Sequence, residues 1–180
     1  PLYGNHMVLN SLACIIVCIY LGVNTQDIQR LFSNFKNAAR RFSLKTFGDI
    51  VTIDDYAHHP TEIKVTLEAA RAKYPDKKLI AVFKPNTYSR TAAFTKEFAD
   101  SLKIADKVFM TEIDCNREKQ EDYPGITSSL VLKDIPDGEI IGEDDVDKLL
   151  KYQNAVICFM SCASISHIKD KYESLLESTK

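Results

Sequence analysis

Nowhere in its 180 residues does the sequence carry a Gly-x-x-x-x-Gly-Lys-Ser/Thr run or a similar phosphate loop. A chain without one has no backbone cradle of its own for the phosphates of a nucleotide. Charge of one sign is not in excess either: 23 Lys and Arg stand against 25 Asp and Glu, a net charge of -2. That balance gives no electrostatic reason to expect a nucleic acid or an anionic membrane surface as partner. The longest apolar run, Leu12 to Val23, falls short of the ~20 residues that cross a bilayer, and no basic segment precedes it as in a signal peptide. The five cysteines (Cys14, Cys18, Cys115, Cys158 and Cys162) are odd in number and irregular in spacing. They suggest neither a disulfide framework nor a zinc knuckle, and read as simple thiols in a reducing cytoplasm. Internal repeats and low-complexity segments are lacking. A chain that starts at Pro1 rather than Met reads as a piece of a longer protein.

What is present has the balance of a soluble globular protein with one good core, 45% hydrophobic and 27% charged. From His6 to about Gly22 nearly every residue is apolar, Asn10 and Ser11 apart, which predicts a helix buried on most sides. Thr25 reads as the N-cap of a second helix, with Ile28, Leu31, Phe32 and Phe35 on its inner face. Phe42–Phe47 and Ile50–Ile53, split by Gly48-Asp49, read as a hairpin with a two-residue turn. Strands are then expected over 79–83, 107–110, 139–141 and 155–160. Helices are expected over 91–102, 126–133, 144–152 and 164–175. The polar stretch Cys115–Gly125 reads as an exposed loop. This alternation predicts an α/β fold: a Rossmann-like, mostly parallel sheet with helices on both faces, preceded by a helical segment.

The densest polar stretch is Asp54-Asp55-Tyr56-Ala57-His58-His59-Pro60-Thr61-Glu62-Ile63. It leaves the strand Ile50–Ile53 and enters a helix at Pro60, with Ile63, Leu67 and Ala70 recurring at helical spacing. Ligands of α/β sheets bind at the carboxyl ends of strands. One aspartate can cap the helix or hold a turn while the other faces a ligand; both as caps is the plainer alternative. Arg90 lies just past the strand 79–83, so the fold would bring it to the same edge as Tyr56 and His58. A guanidinium grips a carboxylate through paired hydrogen bonds, and a neutral His58 can orient or deprotonate an amine. The plainer fate of Arg90 is a surface salt bridge. His58-His59 beside acids could also suggest a metal centre. Only four histidines exist, His6, His58, His59 and His167, and no second Asp/His cluster, so ligand count speaks against it. His6 and Asn10 are i,i+4 and share a helix face; N-terminal capping by Asn5 or His6 is the alternative.

The run from Asp54 to Ile63 also resembles the signature of the Mur ligases that use UDP-N-acetylmuramate. Three further stretches agree in order and spacing. Gly4-Asn5-His6-Met7-Val8-Leu9-Asn10 resembles Gly-x-His-(Asn/Met)-Val-Leu-Asn, and Arg40-Arg41-Phe42 resembles the Arg-Arg-Phe that opens the C-terminal domain. Val82-Phe83-Lys84-Pro85-Asn86-Thr87-Tyr88-Ser89-Arg90-Thr91 resembles Val-Phe-Gln-Pro-His-Thr-Tyr-Ser-Arg-Thr. The likeness covers essentially the whole chain. It implies the C-terminal part of an ATP-dependent amide ligase of peptidoglycan synthesis, joining L-alanine to UDP-N-acetylmuramate through an acyl phosphate. Residues 1–38 would end the central ATPase domain, and residues 39–180 would form the amino-acid-binding domain. Tyr56, His58 and Arg90, with Asn86 as a further donor, would surround L-alanine. His6 and Asn10 would meet the adenine of ATP and Asp55 its ribose or adenine edge. Arg41, with Arg40 as the alternative, would reach the phosphates. Mg²⁺ would be held mostly by ATP and by residues outside this chain.

Two departures from the family pattern stand out. Lys84 and Asn86 replace Gln and His before Thr-Tyr-Ser-Arg, and Met160-Ser161-Cys162-Ala163-Ser164-Ile165 replaces Met-Gly-Ala-Gly-Asp-Ile. Losing two glycines removes the close backbone approach that glycine permits, so either this turn touches no ligand or activity is altered. The rival readings are a murein-peptide ligase of the same family and a non-catalytic binding module. The apolar first helix further predicts that the chain either dimerises through residues 1–35 or frays there.

Overall fold

The hairpin forms as its turn residues require. In the computed structural model, which describes residues 3–35 and 38–178, β1 (Ser43–Phe47) and β2 (Ile50–Asp55) pair antiparallel from Phe47↔Ile50 to Ser43↔Asp54. Gly48 takes the first turn position at φ 61°, a conformation that costs glycine little. β3 (Lys78–Phe83), β4 (Lys107–Met110), β5 (Glu139–Ile140) and β6 (Ala155–Met160) complete one six-stranded sheet. Its order is β1-β2-β6-β3-β4-β5, and every pair after the hairpin is parallel.

Strand alternation sends side chains to two cores. Leu79, Ala81 and Phe83 of β3 join Val156, Cys158 and Met160 of β6 on one face. There they pack under α3 (Pro60–Lys73), α5 (Thr95–Leu102) and α6 (Ser128–Leu132). Ile80, Val82, Ala155, Ile157 and Phe159 point the other way, under α7 (Ser166–Ser178) and a 3₁₀ segment, Glu143–Leu149. Continuous apolar strands buried on both faces are what a parallel sheet demands.

Three local expectations are corrected. The helix expected over 91–102 breaks at Phe94 into α4 (Tyr88–Ala93) and α5. Thr91 and Thr95 each turn their hydroxyl to the carbonyl four residues back, a bond that bends helices. α2 (Thr25–Ser33) is capped by Asn24, not Thr25, because the Asn24 side chain accepts the amides of Gln26 and Asp27. Phe35 lies past its end. α1 (Asn5–Tyr20) was expected to be buried on most sides, yet none of its 16 residues is. Only its start reaches the sheet domain, where the Tyr3 ring packs on Phe42 at 5.2 Å and Lys73 Nζ lies 4.1 Å from the Tyr3 centroid.

Asp55, Met160 and Phe83 stand at one level across the sheet. The segments that leave β2, β6 and β3 therefore emerge side by side. The chain leaves β3 toward α4 and α5 on one face, and leaves β6 toward α7 on the other. In sheets whose connections diverge in this way, the carboxyl edge is the place where ligands bind.

Candidate functional site

Two groups of residues gather at this edge. The first lines a cleft of about 460 Å³ between α1, the segment before β1, and α3. His6 and Asn10 come from α1, Arg41 from the connection, Asp55 from the end of β2, and Glu62 and Thr66 from α3. His6, Asn10, Arg41 and Asp55, drawn from three separate motifs, thus share one concavity. Gly4 holds the His6 ring close: at φ 89° it takes a left-handed conformation, and a Cβ there would stand 2.9 Å from His6 Nδ1. That Nδ1 is buried and has no hydrogen-bond partner among the described residues.

Asp55 is buried and its carboxylate is largely committed. Oδ2 accepts the Phe42 amide at 2.7 Å, and Oδ1 accepts the Ala57 amide at 2.8 Å and the Thr66 hydroxyl at 3.2 Å. Burial pushes the carboxyl above the ordinary Asp range, against the pull of those three bonds and of the Arg41 charge. Asp55 therefore both pins the segment before β1 to α3 and lines the cleft. Neither aspartate caps α3. His59 does, accepting the Thr61 amide, while Glu62 accepts the His59 amide in return.

The two neighbouring arginines divide. Arg40 bonds Asp54 and the carbonyls of Ser161 and Ala163, tying the segment before β1 to the turn after β6. Arg41 faces the cleft, with its guanidinium 5.3 Å from the Tyr56 ring centroid. The exchanged turn at Ser161–Ser164 needs no glycine here, since none of its residues has positive φ. Ser161 is buried and its hydroxyl donates to the Lys84 carbonyl at 2.9 Å while accepting the Ala163 amide. The added charge of Lys84 is met by Asp114 at 3.1 Å and the Ser164 carbonyl at 3.1 Å.

The second group is Tyr56, His58, Asn86 and Arg90. The Tyr56 and His58 rings meet edge to face at 5.4 Å. His58 Nδ1 lies 2.9 Å from the Tyr56 carbonyl and 3.1 Å from Glu62 Oε2. Both of those atoms only accept, so Nδ1 carries the proton and a neutral ring keeps its lone pair on Nε2. Arg90 sits in α4, bonds the Asn86 carbonyl at 2.6 Å and lies 4.0 Å from Cys162 Sγ in the turn after β6. It thus stands at the same carboxyl edge as His58, with β6 between their strands. His58 and His59 also diverge, and among the described residues no group of three or more His, Cys, Asp or Glu is placed to hold a metal.

Glu118, Ser89 and Tyr123 join this region without any signal in the sequence. Glu118 lies in the loop expected over 115–125 and bonds Ser89, beside Arg90, and Tyr123 stacks on Tyr88. An acid in a polar loop carries no spacing signal, so only the fold could reveal the contact.

The family described as Mur ligase, glutamate ligase domain, matches residues 40–161. The chain belongs to the Mur ligase family. A UDP-N-acetylmuramate–L-alanine ligase of Limosilactobacillus reuteri (strain DSM 20016) is 46% identical over 176 residues, 98% of this chain and 40% of that relative. This Mur ligase chain therefore spans about two-fifths of the length of the curated relatives it matches. The crystal structure of a UDP-N-acetylmuramate–alanine ligase from Thermotoga maritima superposes with a TM-score of 0.79 at 26% identity, covering 99% of this chain and 39% of that one. Another Mur ligase of Thermotoga maritima, solved in complex with ADP, gives 0.67 over 99% of this chain and 40% of that one; at 21% identity it shows the fold alone. The Rossmann-like α/β fold expected from the sequence is the one found.

Proposed function

We propose that the chain is the C-terminal part of a cytoplasmic, ATP-dependent ligase that joins L-alanine to UDP-N-acetylmuramate. Residues 1–38 would close the central ATPase domain and residues 39–180 would form the amino-acid-binding domain. One observation carries the reading: His6, Asn10, Arg41 and Asp55 line one cleft beside the edge where Tyr56, His58 and Arg90 stand. The names of the relatives support the substrates.

The cleft suits the adenosine end of a nucleotide. It offers the His6 imidazole, the Asn10 amide, which both donates and accepts, and a guanidinium. ATP, when bound, supplies the phosphoryl group that activates the carboxylate of UDP-N-acetylmuramate. Mg²⁺ would be held by the phosphates and by parts of the ligase outside this chain. The residues present here act on the amino acid. Arg90 and Asn86 take the carboxylate of L-alanine, and Tyr56 closes one side. His58, with Nδ1 fixed as donor, offers Nε2 to orient the amine and accept its proton as the amide forms.

The test is ADP release by the full-length protein. It should require both UDP-N-acetylmuramate and L-alanine, and a preformed peptide that replaces alanine at lower KM would move the assignment to murein-peptide ligation. The chain alone should release no ADP, because it lacks a phosphate loop and most of the machinery of phosphoryl transfer. Turnover by the isolated chain that disappears in His58→Ala would mark a complete enzyme of another kind.

A further inference from the structure

We propose that Glu118 is a positioning residue for the amino-acid pocket, holding the first turn of α4 and through it setting Arg90. The inference rests on the role given to Arg90 above. α4 has six residues, too few to persist in water by helix propensity alone. Its N-cap, Thr87, makes no side-chain capping bond. The cap arrives instead from a distant loop. Glu118 Oε2 accepts the Ser89 amide at 2.9 Å, and Oε1 accepts the Ser89 hydroxyl, itself 2.9 Å from Thr87 Oγ1. A second contact five residues on reinforces the first: the Tyr123 ring stacks on Tyr88 at 6.1 Å, with planes 17° apart.

Arg90 follows Ser89 directly, and its guanidinium folds back on the Asn86 carbonyl at 2.6 Å, inside the turn that Glu118 caps. The base of that turn is pinned from the same loop, since the Asp114 amide donates to the Pro85 carbonyl at 2.9 Å and Asn86 bridges Asp114. Desolvation works to raise the Glu118 pKa, yet the bonds from Ser89 and Thr87 hold the carboxyl below the usual Glu range, so it stays charged at neutral pH. A bidentate grip on a small carboxylate tolerates little displacement of the guanidinium. A loop that fixes the turn therefore acts on amino-acid affinity without touching the amino acid.

The experiment measures KM for L-alanine and for ATP, kcat and Tm in the full-length protein. The variants are Glu118→Ala, Glu118→Gln, Arg90→Ala and the Glu118→Ala/Arg90→Ala pair. Glu118→Ala should raise the alanine KM about tenfold, on the scale of one charge-assisted hydrogen bond, and Glu118→Gln about threefold. ATP KM and kcat should stay within about twofold, as expected of a lost binding contact alone. In the pair, Glu118→Ala should add nothing to Arg90→Ala, because both act through one guanidinium. If Glu118→Ala lowers Tm, the isosteric Glu118→Gln carries the comparison. An alanine KM that rises with Arg90→Ala but not with either Glu118 variant overturns the positioning role and leaves the pocket intact. Equal rises in alanine and ATP KM overturn it too. An alanine KM unmoved by Arg90→Ala removes both.

Discussion

Adjacent residues of one type can have opposite fates, and Arg40 and Arg41 show why. Arg40 takes a left-handed backbone, φ 57°, and bonds its half-buried guanidinium to Asp54 and two carbonyls of the turn after β6. Those acceptors occupy the Arg40 guanidinium within the protein. Arg41 stays at the cleft, where its charge also acts on Asp55. Residue chemistry at the edge was legible because it is concentrated: two acids, a phenol and two imidazoles stand in one run. What each atom does was not legible, since Asp55 finds its donors thirteen residues back at Phe42 and eleven residues on at Thr66. For Arg90 the expected consequence is specific. Arg90→Ala in the full-length ligase should raise the alanine KM by the equivalent of roughly 1.5–3 kcal/mol, the loss of a charge-assisted carboxylate contact. ATP KM should change little. Steady-state kinetics with an ATP defect and a normal alanine KM would reverse the assignment.

Among the elements, strands were easier to read than helices. β3 and β6 are unbroken apolar runs, and such runs have few alternatives to a buried parallel strand. The break at Phe94 depends on hydroxyl bonds within the helix, and apolar spacing does not encode those. α7 carries a further feature invisible to periodicity, a buried ion cluster against the hairpin. Glu173 accepts Lys45 at 2.6 Å, the Thr52 hydroxyl at 2.8 Å and Lys169 at 3.3 Å. Burial alone would raise the Glu173 pKa, but these partners together hold it below the ordinary Glu value. A carboxyl depressed on folding adds stability above its unfolded pKa, about 4.3, and loses that addition as pH falls through the folded value. Acid unfolding should therefore steepen below about pH 4.3, and Glu173→Gln should remove that part of the slope. The variant should also cost about 1.5 kcal/mol at neutral pH, the scale of lost hydrogen bonds to a charged group, because Lys169 keeps Asp170 at 2.5 Å. Urea titrations at pH 3.5 and pH 7 read both effects, and parallel pH profiles for the two proteins would count against the cluster.

Taken whole, the molecule is two unequal pieces: a sheet domain with two filled cores, and a helical arm in which, Ile28 apart, the apolar residues are only partly covered. Val8, Leu9, Ile16 and Tyr20 of α1 are 67%, 66%, 58% and 87% exposed, and Leu31 of α2 is 63% exposed. Singly exposed apolar residues are ordinary, but a contiguous apolar helix face marks an association surface. Its composition was legible; its exposure was not, because hydrophobic pattern says a face will be covered without saying by which chain. The arm meets the sheet domain mainly at its start, through Tyr3, Gly4 and His6 against α3 and Phe42, so little of the energy of the cores holds it. The isolated chain is therefore expected either to pair with a second copy through residues 1–35 or to fray there. Light scattering over a concentration series should show mass rising toward twice the 20.4 kDa of the monomer. Otherwise, hydrogen exchange over residues 5–20 should be fast while β3 and β6 stay protected. Ile16→Glu should abolish pairing without altering that strand protection, because Ile16 is outside both cores. A strictly monomeric chain with α1 protected from exchange would show that the arm is stable alone.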